Sequence, residues 1–209
     1  MTALTIAGKT YPDLQIPDGY KIVVNKLVPR NDEKVHLLRY QPADLPEEAL
    51  GREHVTVIYK DDGGIYSYNA LTQPLTGAVP SEKQAFALAE KLWQEVAPKY
   101  REQLEPLRSL AGQERTYTDA DGKAVTIPLI WAKYANMLVE GSYEWVGFGP
   151  NGHLVEFERY NFWDYEAGRQ KTEMWYGDDW IRARRGLGPQ LDAPCLLYTS
   201  DAADDMQCV

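Results

Sequence analysis

The sequence has almost none of the residues that carry thiol and metal chemistry. Its 209 residues include two cysteines, Cys195 and Cys208, and three histidines. Because no cysteine precedes position 195, the residues before it cannot hold a disulfide, a zinc–thiolate or iron–sulfur site, or a cysteine nucleophile. The histidines, His36, His54 and His153, form no H-x-H or H-E-x-x-H pair, which excludes a metal site within a single element. We therefore expect no metal and no cofactor.

Long apolar runs and an excess of basic residues are missing as well. No run approaches the ~18 apolar residues that a membrane helix needs. Residues 1–7 lack the basic n-region and the long apolar h-region of a signal peptide. With 22 basic and 31 acidic side chains the formal net charge is −9, which repels phosphate backbones, and no basic stripe with interleaved aromatics occurs. These absences predict a cytoplasmic protein whose partners include neither membrane nor nucleic acid.

The last fifteen residues, Cys195–Val209, resemble a translated sequencing-library adapter of the Nextera type. Cys195–Asp204 match its constant part, and Cys208–Val209 match the point where it resumes after the index. We therefore predict that residues 195–209 are a disordered tail foreign to the protein. Setting them aside removes both cysteines and three aspartates, which changes the net charge from −9 to −6. Residues 1–194 are of a length that suits one domain, with 1–80 and 81–194 as alternative sub-units.

Strand patterns fill the first eighty residues. Tyr20–Val28 and Lys34–Tyr40 flank a polar turn at residues 31–33. His54–Tyr59 and Ile65–Tyr68 flank the sequence Asp-Asp-Gly-Gly, a hairpin signal because aspartate tolerates the turn and glycine supplies positive φ.

A helix is predicted next, from Ser81 to about Leu110. Ser81–Gln84 is a capping box directly after Pro80, and apolar residues then recur with helical period. Pro98 interrupts the stripe, so a kink or a break into two helices is expected there. The apolar stripe is typical of a helix packed on a sheet.

The second half of the sequence returns to strands and contains a hint of a repeat. Residues 119–122 and 149–152 are turn signals of two further hairpins. Val57–Tyr68 aligns without gaps on Val146–Phe157, at an offset of 89 residues. The sequence predicts an α+β fold: an antiparallel meandering sheet, or two related sheets from a duplication, packed against one long kinked helix. A short helix is expected from residue 178 or 179 through Arg185.

The helix start and the two aligned hairpins together resemble the PepSY/YcdB-type modules. The resemblance covers about residues 54–160 and rests on Ser81–Ala89, with its alanines in the first turns, and on a hairpin pattern of valine, aromatic, turn glycine, aliphatic and aromatic residues. It implies a small α+β unit, often duplicated, that binds or inhibits partners outside the cytoplasm. It brings no catalytic residues.

The residues Gly147–Gly152 match the letters of the dinucleotide-binding motif G-x-G-x-x-G. That site needs a helix to follow, so that its amide groups face the pyrophosphate. Here a strand-like alternation follows, and Pro150 removes one of the donors. The pattern therefore indicates a β-turn rather than a nucleotide site.

Three carboxylates form the candidate catalytic group. Glu156 and Glu158 alternate with Phe157, so both lie on one face of a strand, and Glu144 on the neighbouring strand is placed to join them. Carboxylates held together raise one another's pKa and can serve as an acid–base pair, as in a hydrolase. The alternative is a solvated outer face, with Trp145 and Phe157 turned to the core.

Aromatic residues are concentrated near the end of the chain. Eleven of the 24 aromatics lie between Tyr143 and Trp180. Tyrosine and tryptophan favour binding surfaces, because they combine an apolar body with a polar tip. The candidate residues for binding a ligand or partner are Tyr160, Trp163, Tyr165, Trp175 and Tyr176. The alternative role of these side chains is core filling in a thin domain.

Arg182, Arg184 and Arg185 form a small basic cluster at the end of the short helix. They either complement the helix dipole or bind an anion. Taken together, the sequence favours a non-catalytic binding or regulatory protein whose partner is an unknown protein or small ligand. An acid–base hydrolase and a self-associating protein, such as a homodimer, are the alternatives.

Overall fold

The computed structural model describes residues 1–164, 166 and 169–188. The predicted tail, Cys195–Val209, and the candidate Tyr165 lie outside the described residues. The strands are β1 (Thr2–Ile6), β2 (Lys9–Ile16), β3 (Tyr20–Arg30), β4 (Glu33–Pro42), β5 (His54–Tyr59), β6 (Ile65–Leu71), β7 (Leu104–Thr118), β8 (Ala124–Asn136), β9 (Ser142–Phe148), β10 (Leu154–Asp164) and β11 (Arg169–Gln170). The helices are α1 (Glu82–Val96), α2 (Pro98–Arg101) and α3 (Asp178–Arg184).

Local turn chemistry sets the hairpins. The β3–β4 turn is made by Asn31 and Asp32, both at positive φ, the conformation that a two-residue hairpin loop requires. Asp62 accepts a hydrogen bond from the Gly64 amide, and Gly63 has a φ of 83°. Both turns are where the sequence predicts them.

The main sheet is antiparallel throughout, with the strand order β3-β4-β5-β6-β10-β9-β8-β7 and β11 paired to β10. It consists of two four-stranded meanders, β3–β6 and β7–β10, which meet through their last strands. The hairpin β1–β2 forms a separate two-stranded sheet. The predicted antiparallel meander is therefore confirmed.

The pairing of β6 with β10 at the centre of the sheet is symmetric about a local two-fold axis. Tyr68 of β6 pairs with Phe157 of β10, and these two positions differ by 89, the offset of the sequence alignment. On either side, Ser67 pairs with Glu158 and Asn69 pairs with Glu156. The offset of 89 equates Ser67 with Glu156 and Asn69 with Glu158, so the two-fold axis exchanges these two pairs. Of the residues that the alignment equates, Tyr68 and Phe157 therefore face each other across the seam between the meanders.

The single helix predicted to reach about Leu110 is not confirmed. The Ser81 capping box is present and α1 begins as expected, but it ends at Val96, and α2 starts anew at Pro98. Proline suits the first position of a helix because it lacks the amide that would otherwise be unsatisfied there. From Leu104 onward the backbone pairs with β8, whose ladder satisfies the groups that a helix would have satisfied. The break near Pro98 is confirmed.

Both faces of the main sheet are covered. On the helix face, α1, α2 and the β1–β2 hairpin enclose the largest apolar cluster. At its centre the buried Trp93 ring lies 4.6 Å from that of Phe157 and 5.9 Å from that of Tyr134. The opposite face is covered by the C-terminal segment, residues 169–188, whose Trp175 and Trp180 pack on β3–β6. Among the helices of the described residues, none has the length and apolar character needed to cross a membrane.

Candidate functional site

A buried polar cluster occupies the middle of the opposite face. Glu158 has no exposed surface, and its Oε1 accepts hydrogen bonds from Ser67 Oγ and Asn69 Nδ2, both at 2.6 Å. Arg30 Nη2 lies 3.5 Å from the Glu158 Oε2 atom. Arg30 is itself fully buried and also donates to the Asn161 side chain at 3.0 Å.

Glu156 is the second carboxylate of this cluster and is equally buried. Arg115 binds it through two nitrogen atoms of its guanidinium, Nε at 2.9 Å and Nη2 at 3.0 Å. The indole groups of Trp145 and Trp131 also donate to it, at 3.1 and 3.4 Å, and their rings stack on each other. A bidentate arginine and two indole donors hold the carboxylate in a fixed position.

Glu144 does not join the other two carboxylates, contrary to the sequence prediction. It lies on the helix face, where its Oε1 accepts hydrogen bonds from the hydroxyls of Tyr100 and Ser142, both at 2.6 Å. The cause is a β-bulge, since the register shifts by one residue between Leu154 and Glu156. A one-residue shift in register changes which side chains of the two strands share a face of the sheet. Beyond the bulge, Glu158 therefore shares its face with Trp145 and not with Glu144.

The prediction that Glu156 and Glu158 lie on a solvated outer face is also wrong. The register shift is one reason, and the cover by the C-terminal segment is the second. Trp145, expected in the core with Phe157, pairs with Glu158 and bonds Glu156 on the opposite face. The C-terminal segment then covers that face, so Glu156 and Glu158 are enclosed rather than exposed.

Burial shifts the pKa of Glu158 and that of Glu144. It raises the pKa of Glu158 to about 7, against the opposing effects of Arg30 and of the hydrogen bonds from Ser67 and Asn69. Burial also raises the pKa of Glu144. In both cases desolvation of the charged form outweighs the groups that stabilise it.

The raised pKa of Glu158 predicts a pH dependence of stability. The folded state holds this proton more tightly than an unfolded chain, in which a glutamate titrates near pH ~4.3. Its contribution to stability is therefore complete below about pH 4.3 and is lost as the pH rises through about 7. Relative to Glu158→Gln, the wild type should lose about 3 kcal/mol between pH 4.5 and pH 8. Urea denaturation of both proteins across this range measures the difference, and parallel curves would contradict the prediction.

A cavity of about 550 Å³ lies beside this cluster, between the sheet and the C-terminal segment. Residues of both meanders and of the C-terminal segment line it, among them His54, Asn69, Leu71, Arg115, Thr116, Met174, Tyr176, Asp178, Trp180 and Arg182. Asn69 and Arg115 are shared with the polar cluster, because they bond Glu158 and Glu156. The lining therefore combines polar groups of this cluster with apolar residues such as Leu71 and Met174.

His54 and its neighbours supply buried polar groups at the cavity. The His54 Nδ1 atom lies 2.9 Å from the Arg52 carbonyl, and its Nε2 atom has no hydrogen-bond partner among the described residues. Burial lowers the pKa of His54 to about 4; nearby Arg39 adds to this, whereas Asp178 opposes it. Asp178 lies 2.6 Å from Arg39 and accepts a hydrogen bond from the Gly51 amide.

The predicted aromatic residues have different surroundings. Tyr160 is half-buried at positive φ, and its ring packs against Tyr66 and Tyr100. Trp175 is buried against Trp180 and donates to the Pro29 carbonyl. Tyr176 is half-buried at the cavity, and its hydroxyl donates to Gln170 at 3.0 Å. Trp163 is 40% exposed, with Lys133 Nζ 5.7 Å from its ring centroid.

The three arginines of the predicted anion site do not converge on one point. Arg182 donates to the Leu50 carbonyl at 2.8 Å, and Arg185 pairs with Glu48. Arg184 lies over the Trp180 ring, 4.8 Å from its centroid. The short helix ends at Arg184, one residue before the predicted end at Arg185, and Gly186 follows with a φ of 67°.

Sequence reasoning did not select His54, Asn69, Arg115 or Arg30 as site residues. A signal existed for the strand residues, because His54 and Thr56 on β5, and Ser67 and Asn69 on β6, are polar at alternate positions of otherwise apolar strands. No comparable signal marks Arg30 or Arg115, whose roles depend on pairing between distant parts of the chain.

No protein-family model, curated protein or solved structure matches the chain. Within residues 1–164, 166 and 169–188, no three His, Cys, Asp or Glu side chains are grouped so as to hold a metal ion. The geometry of the cavity and the polar cluster is therefore what supports a function.

Proposed function

We propose that the chain is a non-catalytic binding protein that holds a small ligand in the cavity between the sheet and the C-terminal segment. The observation that carries the proposal is the convergence of His54, Asn69, Arg115, Tyr176 and Trp180 on one cavity. Binding sites are typically concave and largely apolar, with a few fixed polar groups that orient the ligand. The volume, about 550 Å³, is in the range of small-molecule sites.

The resemblance to PepSY/YcdB-type modules is part of this proposal. Those modules bind or inhibit partners, and the two meanders related through Tyr68 and Phe157 are consistent with such a duplication. A protein partner would use the exposed Trp163, whereas a small ligand would use the cavity.

The predicted hydrolase is less well supported by the geometry. Glu158 has a raised pKa suited to proton transfer, but neither it nor Glu156 has exposed surface through which a substrate could reach it. Their hydrogen bonds are made to side chains of the protein itself. A general base has to lie within hydrogen-bonding reach of the substrate proton that it removes.

Filling the cavity tests the proposal. Thr116 and Thr126 are directly opposite each other on β7 and β8, both are exposed, and their hydroxyls lie 3.1 Å apart. Thr116 lines the cavity. We expect Thr116→Trp to abolish binding of small-molecule fragments identified by ligand-observed NMR on the wild type, because the indole occupies part of the site.

Thr126→Trp is the matched control, since it removes the same hydroxyl pair and adds the same indole on the neighbouring strand. It should bind the fragments with wild-type affinity. Fragments that bind Thr116→Trp as well as the wild type would refute the cavity as the site, as would a screen in which no fragment binds.

A further inference from the structure

Two positive side chains and two aromatic rings lie together on the opposite face of the second meander. Lys133 of β8 is directly paired with Arg108 of β7 and with Trp145 of β9, so all three side chains share that face. Lys133 Nζ is 4.7 Å from the ring centroid of Tyr143 and 5.7 Å from that of Trp163. We call the group formed by Arg108, Lys133, Tyr143 and Trp163 the aromatic–basic surface. None of its members lines the cavity.

The two positive charges of this surface are not neutralised within the protein. Among the described residues, neither Arg108 nor Lys133 forms an ion pair or a side-chain hydrogen bond, although Glu105 lies on the same strand as Arg108. Burial lowers the pKa of Lys133, and the charge of Arg108 lowers it further. Like charges directly opposite each other on antiparallel strands are destabilising. In a chain with 31 acidic side chains, such a pair is typical of a place where a negative charge binds from outside.

The surface can be reached from solvent. Arg108 is exposed, and Trp163 is 40% exposed. Lys133 is half-buried, but its Nζ atom is not one of the side-chain atoms enclosed without a partner, in contrast to Nε2 of His54. An incoming group can therefore contact the indole and both cations without opening the fold.

The residue types of this surface are those that dominate protein interfaces. Tryptophan, tyrosine and arginine are enriched among the residues that contribute most to binding between proteins. An arginine guanidinium binds a carboxylate through two parallel hydrogen bonds, and a lysine adds a point charge. The exposed indole of Trp163 offers apolar area to a ring or aliphatic side chain of the partner.

The net charge of the chain limits the size of the anionic partner. At −9 the chain repels extended polyanions, such as nucleic acids and anionic membrane surfaces. Two adjacent cations match the charge of two carboxylates, which a short acidic segment supplies. A peptide therefore satisfies both the local attraction and the overall repulsion.

We infer that the aromatic–basic surface binds an acidic peptide segment of a partner protein. Its carboxylates pair with Arg108 and Lys133, and a neighbouring aromatic side chain packs on Trp163. This site is separate from the cavity and does not depend on the small ligand proposed above.

A set of short peptides tests the chemistry of the partner. The probe is acetyl-Gly-Glu-Phe-Glu-Gly-amide, and the reference peptides replace both glutamates by glutamine, both by lysine, or the phenylalanine by alanine. Affinities are measured at pH 7 by NMR titration of the full chain labelled with ¹⁵N in its indole rings. The glutamate peptide should bind about fivefold more tightly than the glutamine peptide and shift the Trp163 resonance. The lysine and alanine peptides should bind more weakly than the glutamate peptide, and salt should weaken its binding.

Variants locate the site and keep the net charge matched. Arg108→Gln combined with Lys133→Gln should bind the glutamate and glutamine peptides equally. The control, Lys26→Gln combined with Lys34→Gln, removes the same charge from β3 and β4 and should keep the wild-type preference. An unchanged preference in the first double variant would overturn the inference.

The comparison of peptides on the wild type is decisive even if a variant does not fold. Equal affinities for the glutamate and glutamine peptides, tighter binding of the lysine peptide, or no binding of the glutamate peptide would each refute an acidic partner at this surface. A glutamate peptide that binds without shifting the Trp163 resonance would refute the location.

Discussion

Arg30→Met is expected to lower the free energy of unfolding by about 3–5 kcal/mol at pH 8. The Arg30 guanidinium has no exposed surface and lies 3.5 Å from Glu158. It also donates to the Arg159 carbonyl and the Asn161 side chain, each at 3.0 Å. Methionine fills much of the same volume but leaves the Glu158 charge and both of these acceptors without their partner. The loss should be smaller at pH 5, where Glu158 holds a proton and has no charge to compensate.

A double-mutant cycle identifies the ion pair as the cause. Because Glu158→Gln removes the charge that Arg30 neutralises, the double variant should be less destabilised than the sum of the two single variants. Arg108→Met, on the exposed part of β7, serves as the control and should change stability by less than about 0.5 kcal/mol. Strict additivity, or equal losses for Arg30→Met and Arg108→Met, would disprove the pairing.

Trp93→Ala is expected to cost about 3–5 kcal/mol, the usual range for a large aromatic residue removed from a core. Trp93 has no exposed surface and contacts the rings of Phe157, Tyr134 and Tyr100. It therefore joins α1 to β8, β10 and α2. Its indole N–H has no hydrogen-bond partner among the described residues, so the loss is one of packing.

The control for this prediction is Trp163→Ala, which removes an indole that is 40% exposed. Trp93→Phe, which keeps one aromatic ring in the core, should lose less stability than Trp93→Ala. Urea denaturation measures the free energy of unfolding of the three variants. The values are comparable when the dependence of this free energy on urea concentration is the same as in the wild type. A loss for Trp93→Ala no larger than that for Trp163→Ala would show that α1 contributes little to the core.

The features that the sequence predicts correctly depend on neighbouring residues. Hairpin turns at Asn31–Asp32 and Asp62–Gly63, the Ser81 capping box and the helix stop at Gly186 are each decided within about four positions. The end of the first helix is different. Leu104 continues the apolar stripe, but it pairs with Asn136 of β8, a partner that is distant in sequence.

The candidate site was predicted only in part, because its geometry depends on one bulge and one distant segment. The alternation of Glu156 and Glu158 correctly places both on one face. Without the register shift after Leu154, Glu144 would lie opposite Glu158, as the sequence suggests. Nothing in the local pattern of β10 indicates that residues 169–188 cover this face and line part of the cavity.

The backbone pairing between β6 and β10, which joins the two meanders, is short. Its register covers three residue pairs, whereas β7 and β8 pair at thirteen positions. The two meanders are therefore held together at the seam more by side chains than by a long backbone ladder, with Asn69 and Ser67 of one bonded to Glu158 of the other. Amide hydrogen exchange at these seam residues should consequently report separation of the halves before either meander unfolds. A ligand that contacts His54 of one half and Arg115 of the other would stabilise the joined halves against that separation.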